Sequence, residues 1–283
     1  ADVQLYFPIK RMEDRDVIVT ARVANASLAY GNLAPMRALQ GSVKIHNTLL
    51  EPPEIEGRWL SGPLSVYVEP QDSTSSLLTA HGRAHAAPLK SLLAVPASIG
   101  MSGAADWQVS TTLSRGDRAF EDAHLIADVR DLGLALPEPV GKQEGEAGTL
   151  DLEMTLDERD RVLARASLGE LRALVSVKNS GGRWQLDRGG LRADGVTASL
   201  PSHRGIRIEG AIERFVLDDW LKLKGSGEGK PLSTYLQAAN VRVGQFEMFG
   251  YQWSDVRGIV QATPSGWRIN VSGPDAAGQV LVP

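Results

Sequence analysis

The chain has 283 residues, 42% hydrophobic and 23% charged, a globular balance that excludes disorder. Its net charge of -4 and the lack of any Lys/Arg run longer than two exclude a nucleic-acid surface, which needs a basic stripe. Cysteine is absent, which excludes disulfides, thiolate metal sites and cysteine nucleophiles.

By length this is one large domain or two ordinary ones. No stretch of about 20 apolar residues predicts a membrane-spanning helix, and no signal peptide opens the chain. The start, from Ala1 to Leu5, is already strand-like. We read the chain as a mature form or a piece of a longer protein, with any anchor or export signal outside it.

The elements in chain order are dominated by period two. Val17, Val19, Ala21 and Val23 alternate with Ile18, Thr20 and Arg22. Leu64, Val66 and Val68 follow the same rule, as do Leu132, Leu134 and Leu136. Val241 and Val243 flank Arg242, and Trp267, Ile269 and Val271 close the series. Alternate side chains fall on opposite faces of a sheet, so each run predicts a strand with one more apolar face.

The spacers are turn formers: Gly31-Asn32, Asp157 to Asp160, Asn179 to Gly182, Pro264 to Gly266 and Ser272 to Pro274. They recur every 8 to 15 residues or so, which is hairpin rather than βαβ spacing. Three short helices are expected, at Ala87–Leu93, Leu217–Leu223 with Asp218 as a cap, and Pro231–Leu236. Gly225 to Lys230 is expected to be a loop. A glycine two positions before Trp59 and Trp184, and Gly266 beside Trp267, hint at a repeat of the form turn, Trp strand, turn, small-residue strand.

The fold class that follows is all-β and mostly antiparallel: one elongated, curled groove of repeated hairpins over residues 1–283, with a soft boundary near 141–149. Roughly 18 strands at about 4.8 Å each give a sheet about 85 Å long, and a sheet of that many strands curls. A compact β-sandwich is the alternative.

Chemical sites are sparse. His81 and His85 are four apart but sit in a strand-like stretch with no third ligand nearby, so no metal site is assigned. Glu13 to Asp16 is a charged turn, and Asp218 and Asp219 diverge. Gly225 to Lys230 lacks the spacing and the Ser/Thr of a phosphate loop. No nucleophile elbow occurs. We expect no enzyme, no catalytic residue and no cofactor. The tryptophans read as anchors of strand ends in the core rather than a stacking platform.

Several segments together carry a resemblance. Leu132-Gly133-Leu134-Ala135-Leu136-Pro137-Glu138-Pro139-Val140-Gly141-Lys142, followed by Glu144 to Ala147, is the most specific. Trp59 to Leu64 with Leu78 to Ala84 forms an earlier block, and Val241 to Gly250, Gly266 to Ile269 and Gly278 to Pro283 form the last. In this order they resemble YhdP-type proteins of the AsmA-like superfamily.

That resemblance implies an envelope protein anchored in the inner membrane and crossing the periplasm. Its β-groove would carry phospholipid between inner and outer membranes, with acyl chains on an apolar floor. The floor candidates are Val17, Val19, Val23, Val66, Val68, Leu132, Leu134, Leu136, Val175, Val177, Val241, Val243, Ile269 and Val271. Partners would be phospholipid acyl chains and the two membranes, the latter through parts outside this chain, and exposed sheet edges could pair two copies. The other reading of the same alternation is a structural or interaction module of the envelope with a packed core and no lipid.

Overall fold

A computed structural model describes residues 2–6, 16–29, 34–46, 49–51, 54–72, 75–93, 95–114, 122–156, 160–181, 183–222, 235–263, 266–275 and 277–282. The expected loop at 225–230 lies outside them. So do most of the helix expected at 231–236, the charged residues 13–15, and the turn residues 31–32, 157–159, 182 and 264–265.

The first strands are β1 (Asp2–Tyr6), β2 (Asp16–Leu28), β3 (Met36–His46), β4 (Leu49–Glu51), β5 (Glu54–Trp59) and β6 (Gly62–Pro70). Next come β7 (Ser75–His85), helix α1 (Ala86–Leu92), β8 (Gly100–Ser114), β9 (Asp122–Asp128) and β10 (Leu132–Ala135). The middle holds β11 (Thr149–Leu156), β12 (Arg161–Leu168), β13 (Leu171–Ser180) and β14 (Arg183–Arg192). The last part is β15 (Gly205–Val216), α2 (Leu217–Lys222), β16 (Leu236–Met248), β17 (Tyr251–Thr263), β18 (Gly266–Ser272) and β19 (Ala277–Val282).

Followed by pairing, the strands form one open sheet of 17, running β1-β2-β3-β5-β6-β7-β8-β9-β11 and then in order to β19. β4 lies beside β3 and β10 beside β8. The strands lie across the long axis, so turns line two long lips. The two described helices sit on one of these, the near lip.

Among the described residues the strands form one open sheet with no second sheet over either face, which overturns the sandwich alternative. The surface area agrees. A compact 30.4 kDa monomer exposes about 12,000 Å², whereas this chain exposes 18194 Å².

Two joins depart from the expected hairpins. β14–β15 and β15–β16 are parallel, and a parallel pair needs a return crossover. Residues 193–204 provide the first, crossing so close to β14 that a Cβ on Gly190 would lie 2.1 Å from the Ser199 carbonyl oxygen. That crossover buries Pro201 and Ser176 almost completely. The expected repeat also fails at Trp184, because Trp184 and Leu191 lie on the single strand β14 with no turn between them.

A cluster of buried residues lies at the near lip of the first half. Leu39, Leu60, Leu64, Ala84, Trp107 and Val129 form it, with Leu89 and Leu92 of α1 packed on top. The Trp59 and Trp107 rings meet edge to face at 5.2 Å, although β5 and β8 are three strand spacings, about 14 Å, apart in a flat sheet. Gly82, opposite Trp107 on the intervening β7, leaves room for the indole: a Cβ there would lie 3.1 Å from the Trp107 ring. The rings therefore lean toward each other over this face. Trp184, in contrast, is 51% exposed and anchors no core.

Candidate functional site

Residues opposite one another in paired strands project from the same face, so the registers trace each face across the sheet. Ile55 faces Val66, Val66 faces Ala80, Ala80 faces Val109, and Val109 faces Leu125. The row continues through Leu152, Ala166, Ala173 and Leu191. It runs on through Ile208, Ala239, Val260, Ile269 and Val280. In the other direction Ile55 meets Gly41, and Gly41 meets Val23. Every strand of the ladder from β2 to β19 thus contributes one residue with no polar side-chain atom.

This lane has neighbours of the same kind. On its near-lip side lie Leu64, Gly82, Trp107, Ala127, Leu150 and Leu168. On its far-lip side Val68 faces Leu78, and Met154, Ala164, Val175, Gly189 and Ile206 follow. Thr111 supplies the one hydroxyl among them, and it is turned to the carbonyl oxygen of Asp122. Rows repeat about every 6.7 Å along a strand, so three rows span about 13 Å, of which the near-lip row on β6 to β9 is buried in the core beside α1. Most lane side chains, including Leu152, Ile208 and Val260, are half-buried.

The outer face differs sharply. Arg165 pairs with Glu153 at 3.3 Å, His124 with Asp151 at 2.8 Å, and Arg83 with both Asp106 at 2.7 Å and Asp131 at 2.9 Å. Arg192 binds Asp194 and Glu209, and its guanidinium holds the Asp194 carboxyl below the usual carboxylate range. Arg242 does the same to Asp255. A cleft of about 570 Å³ opens among Arg192, Asp194, Glu209, Arg242, Asp255 and Arg257. Its three arginines and three carboxylates balance in number. His81 stacks on Tyr67 at 5.7 Å on this outer face. Among the described residues, no group of three His, Asp or Glu side chains converges as a metal site.

The sequence candidates distribute unevenly. Val23, Val66 and Ile269 lie in the lane, with Val68 and Val175 in the row beside it. Val177 lies two residues beyond Val175, toward the far lip. Val241, Val243 and Val271 lie toward the near lip on the same face, opposite Gly258, Val256 and again Gly258. Val17 and Val19 pair in register with Leu5 and Val3.

Leu132, Leu134 and Leu136 are not brought onto the ladder. β10 is short and pairs only with the first residues of β8, and Leu136 lies past its end. The reason is the loop that follows. Lys142 Nζ donates to the carbonyl oxygens of Arg130, Leu132 and Gln143, each at 3.1 Å, and folds the chain back on Leu134. Gly141 is required there, since a Cβ would lie 1.8 Å from Leu136 O.

The sequence search missed Leu152, Ala166, Ala173 and Ile208. The signal for Leu152 was present in Leu150-Asp151-Leu152-Glu153-Met154, a strict alternation of apolar and charged residues. The expected Asp218 cap is also corrected. α2 begins at Leu217, and the Asp218 carboxylate accepts a hydrogen bond from the Phe249 N–H at 2.8 Å.

A family model described as YhdP protein matches residues 1–283, and the chain belongs to that family. No curated protein and no solved structure matches it. The family is one of cell-envelope proteins, and no helix among the described residues is long and apolar enough to cross a membrane.

Proposed function

We propose that this member of the YhdP family is a segment of a lipid conduit, in which phospholipid acyl chains slide along the apolar lane between the inner and outer membranes of the envelope. The observation that carries this reading is the in-register lane from β2 to β19, backed by a charged outer face and, among the described residues, covered by no second sheet, with α1 packed only at its near-lip edge in the first half. A core-forming face would need a partner layer. A lipid-carrying face needs continuity and access, and this one has both.

The energetics favour such a device. Exposing two acyl chains of about 16 carbons to water costs about 25 kcal/mol at about 0.8 kcal/mol per methylene. As a barrier that allows roughly 10⁻⁶ events per second. A continuous apolar floor keeps the chains out of water and lets the headgroup ride above the lip, so the work needs no catalytic group and no cofactor. The periplasm is the compartment this reading assigns.

Native mass spectrometry of the chain purified from bacteria without detergent tests it. Co-purifying phospholipid is expected. It should be lost in Leu152→Asp and Ile208→Asp and kept in Ile126→Asp, which places the same charge on the outer face. A folded, lipid-free chain would favour the structural module instead.

A further inference from the structure

The lane face changes character at its near-lip margin in the second half. Across β15, β16 and β17 the registers set three apolar rows side by side: Ile208 with Ala239 and Val260, Gly210 with Val241 and Gly258, and Ile212 with Val243 and Val256. The next row on the same face is Arg214, Gln245 and Ser254, and the row after it holds Glu247 and Gln252. Three neighbouring strands thus turn from apolar to polar at one depth. Toward the far lip the face still reads apolar at Val177 and Leu186 and at Ala262 and Trp267.

The polar rows carry an ionic cluster. Arg214 lies 3.4 Å from the Glu247 carboxylate and 4.0 Å from that of Glu138, and Gln252 Nε2 donates to Glu247 at 3.3 Å. Trp220 Nε1 donates to the Glu138 carbonyl oxygen at 2.9 Å, which fixes that residue beside Arg214. Two carboxylates therefore share one guanidinium. The Glu138 side chain is 64% exposed and meets Arg214 beyond hydrogen-bond range, so it can accept from a second cation. The adjoining α2 repeats the excess of acid, with Asp218 and Asp219 against Lys222.

We infer that this margin is the headgroup rail of the trough and that it selects phospholipids whose headgroup carries an ammonium group; the inference rests on the lipid-conduit reading above. The apolar rows from Ile208 to Ile212 span about 13 Å, close to the roughly 15 Å hydrocarbon depth of one leaflet. A lipid with its acyl chains on those rows brings its headgroup to the row of Arg214, Gln245 and Ser254. There the ammonium of a zwitterionic headgroup meets Glu138 and Glu247, and its phosphate meets Arg214. A headgroup of net negative charge meets the excess carboxylate and is disfavoured.

The test incubates the chain with vesicles of equal parts phosphatidylethanolamine and phosphatidylglycerol, then extracts the bound lipid and quantifies it by mass spectrometry. Phosphatidylethanolamine should exceed phosphatidylglycerol about two- to fivefold, the range of an exposed ion pair, and the excess should fade at high salt. Glu138→Gln combined with Glu247→Gln should bring the ratio to one or below, with the amount of bound lipid unchanged. Glu153→Gln, which removes a carboxylate from the outer face, should leave the ratio alone. Bound lipid in equal proportions would overturn the rail and leave the conduit standing. So would a ratio that the double variant does not move, or that Glu153→Gln moves as far. No bound lipid at all would remove the conduit reading and the rail with it.

Arg214→Gln supplies an independent arm of opposite sign. It keeps both carboxylates and removes the cation between them, so the excess of phosphatidylethanolamine should grow. An unchanged or smaller excess would overturn the inference.

Discussion

Leu152→Asp is the sharpest perturbation the lane allows. Leu152 lies between Leu125 and Ala166 in the register and is half-buried. An aspartate facing hydrocarbon costs about 2.5–3.5 kcal/mol, which at about 1.4 kcal/mol per tenfold lowers lipid occupancy about 60- to 300-fold. The cost to folding is smaller. Full burial of a leucine contributes about 1.5–3 kcal/mol, and half-burial forfeits about half of that against a typical stability of about 5–15 kcal/mol. The variant should therefore fold and lose its lipid. The assay is the lipid-bound fraction in native mass spectra, with circular dichroism to confirm strand content. Ile126→Asp is the control, since Ile126 is 42% exposed on the outer face of the adjoining β9. Wild-type lipid occupancy in folded Leu152→Asp would refute the reasoning. An equal loss in Ile126→Asp would do the same, because the effect would then belong to charge rather than to face.

Other outcomes follow from the same geometry. Trp107→Ala empties the centre of the near-lip core and should destabilise the fold by about 3–5 kcal/mol, lowering the melting temperature by about 10 °C in calorimetry. Gly141→Ala forces a Cβ against Leu136 O and should open the fold-back loop, read as faster proteolysis between β10 and β11. Asp194 gives a pH signature. Arg192 depresses its folded pKa, so the pair's contribution is full above the unfolded carboxyl value of about 3.9 and fades as pH falls through the folded one. Denaturant titrations at falling pH should show that loss in the native chain, and a flatter acid limb in Asp194→Asn.

The strands and their apolar faces were legible because period two is written residue by residue, as in Val17 to Val23 and Trp267 to Val271. The continuity of the lane was not. Alternation within a strand fixes which residues share a face but not which residue of the next strand stands opposite. Alanines such as Ala166 and Ala173 attract no notice until the register sets them beside Leu152 and Leu191. Leu132 to Leu136 carried a regular alternation and still left the ladder, because Lys142 draws that segment back on itself. The parallel joins were hidden for a related reason: the crossover at 193–204 looks like an ordinary polar spacer until a strand is found on its far side. Phe249 was within the last block of the family resemblance, but its left-handed conformation is a property of the backbone that its residue type argues against.

The sheet pairs each strand almost wholly with its neighbours in the chain, and even the crossovers join consecutive strands. The Trp220 to Glu138 hydrogen bond, spanning 82 positions, is an exception that links distant parts of the chain. Such a molecule has little need to wait for its distant parts. Each newly available hairpin can zip onto the growing edge with a short loop to close, as in repeat arrays that propagate from any nucleus. A chain that appears end first, from a ribosome or through a translocation pore, can build this structure in the order of its appearance.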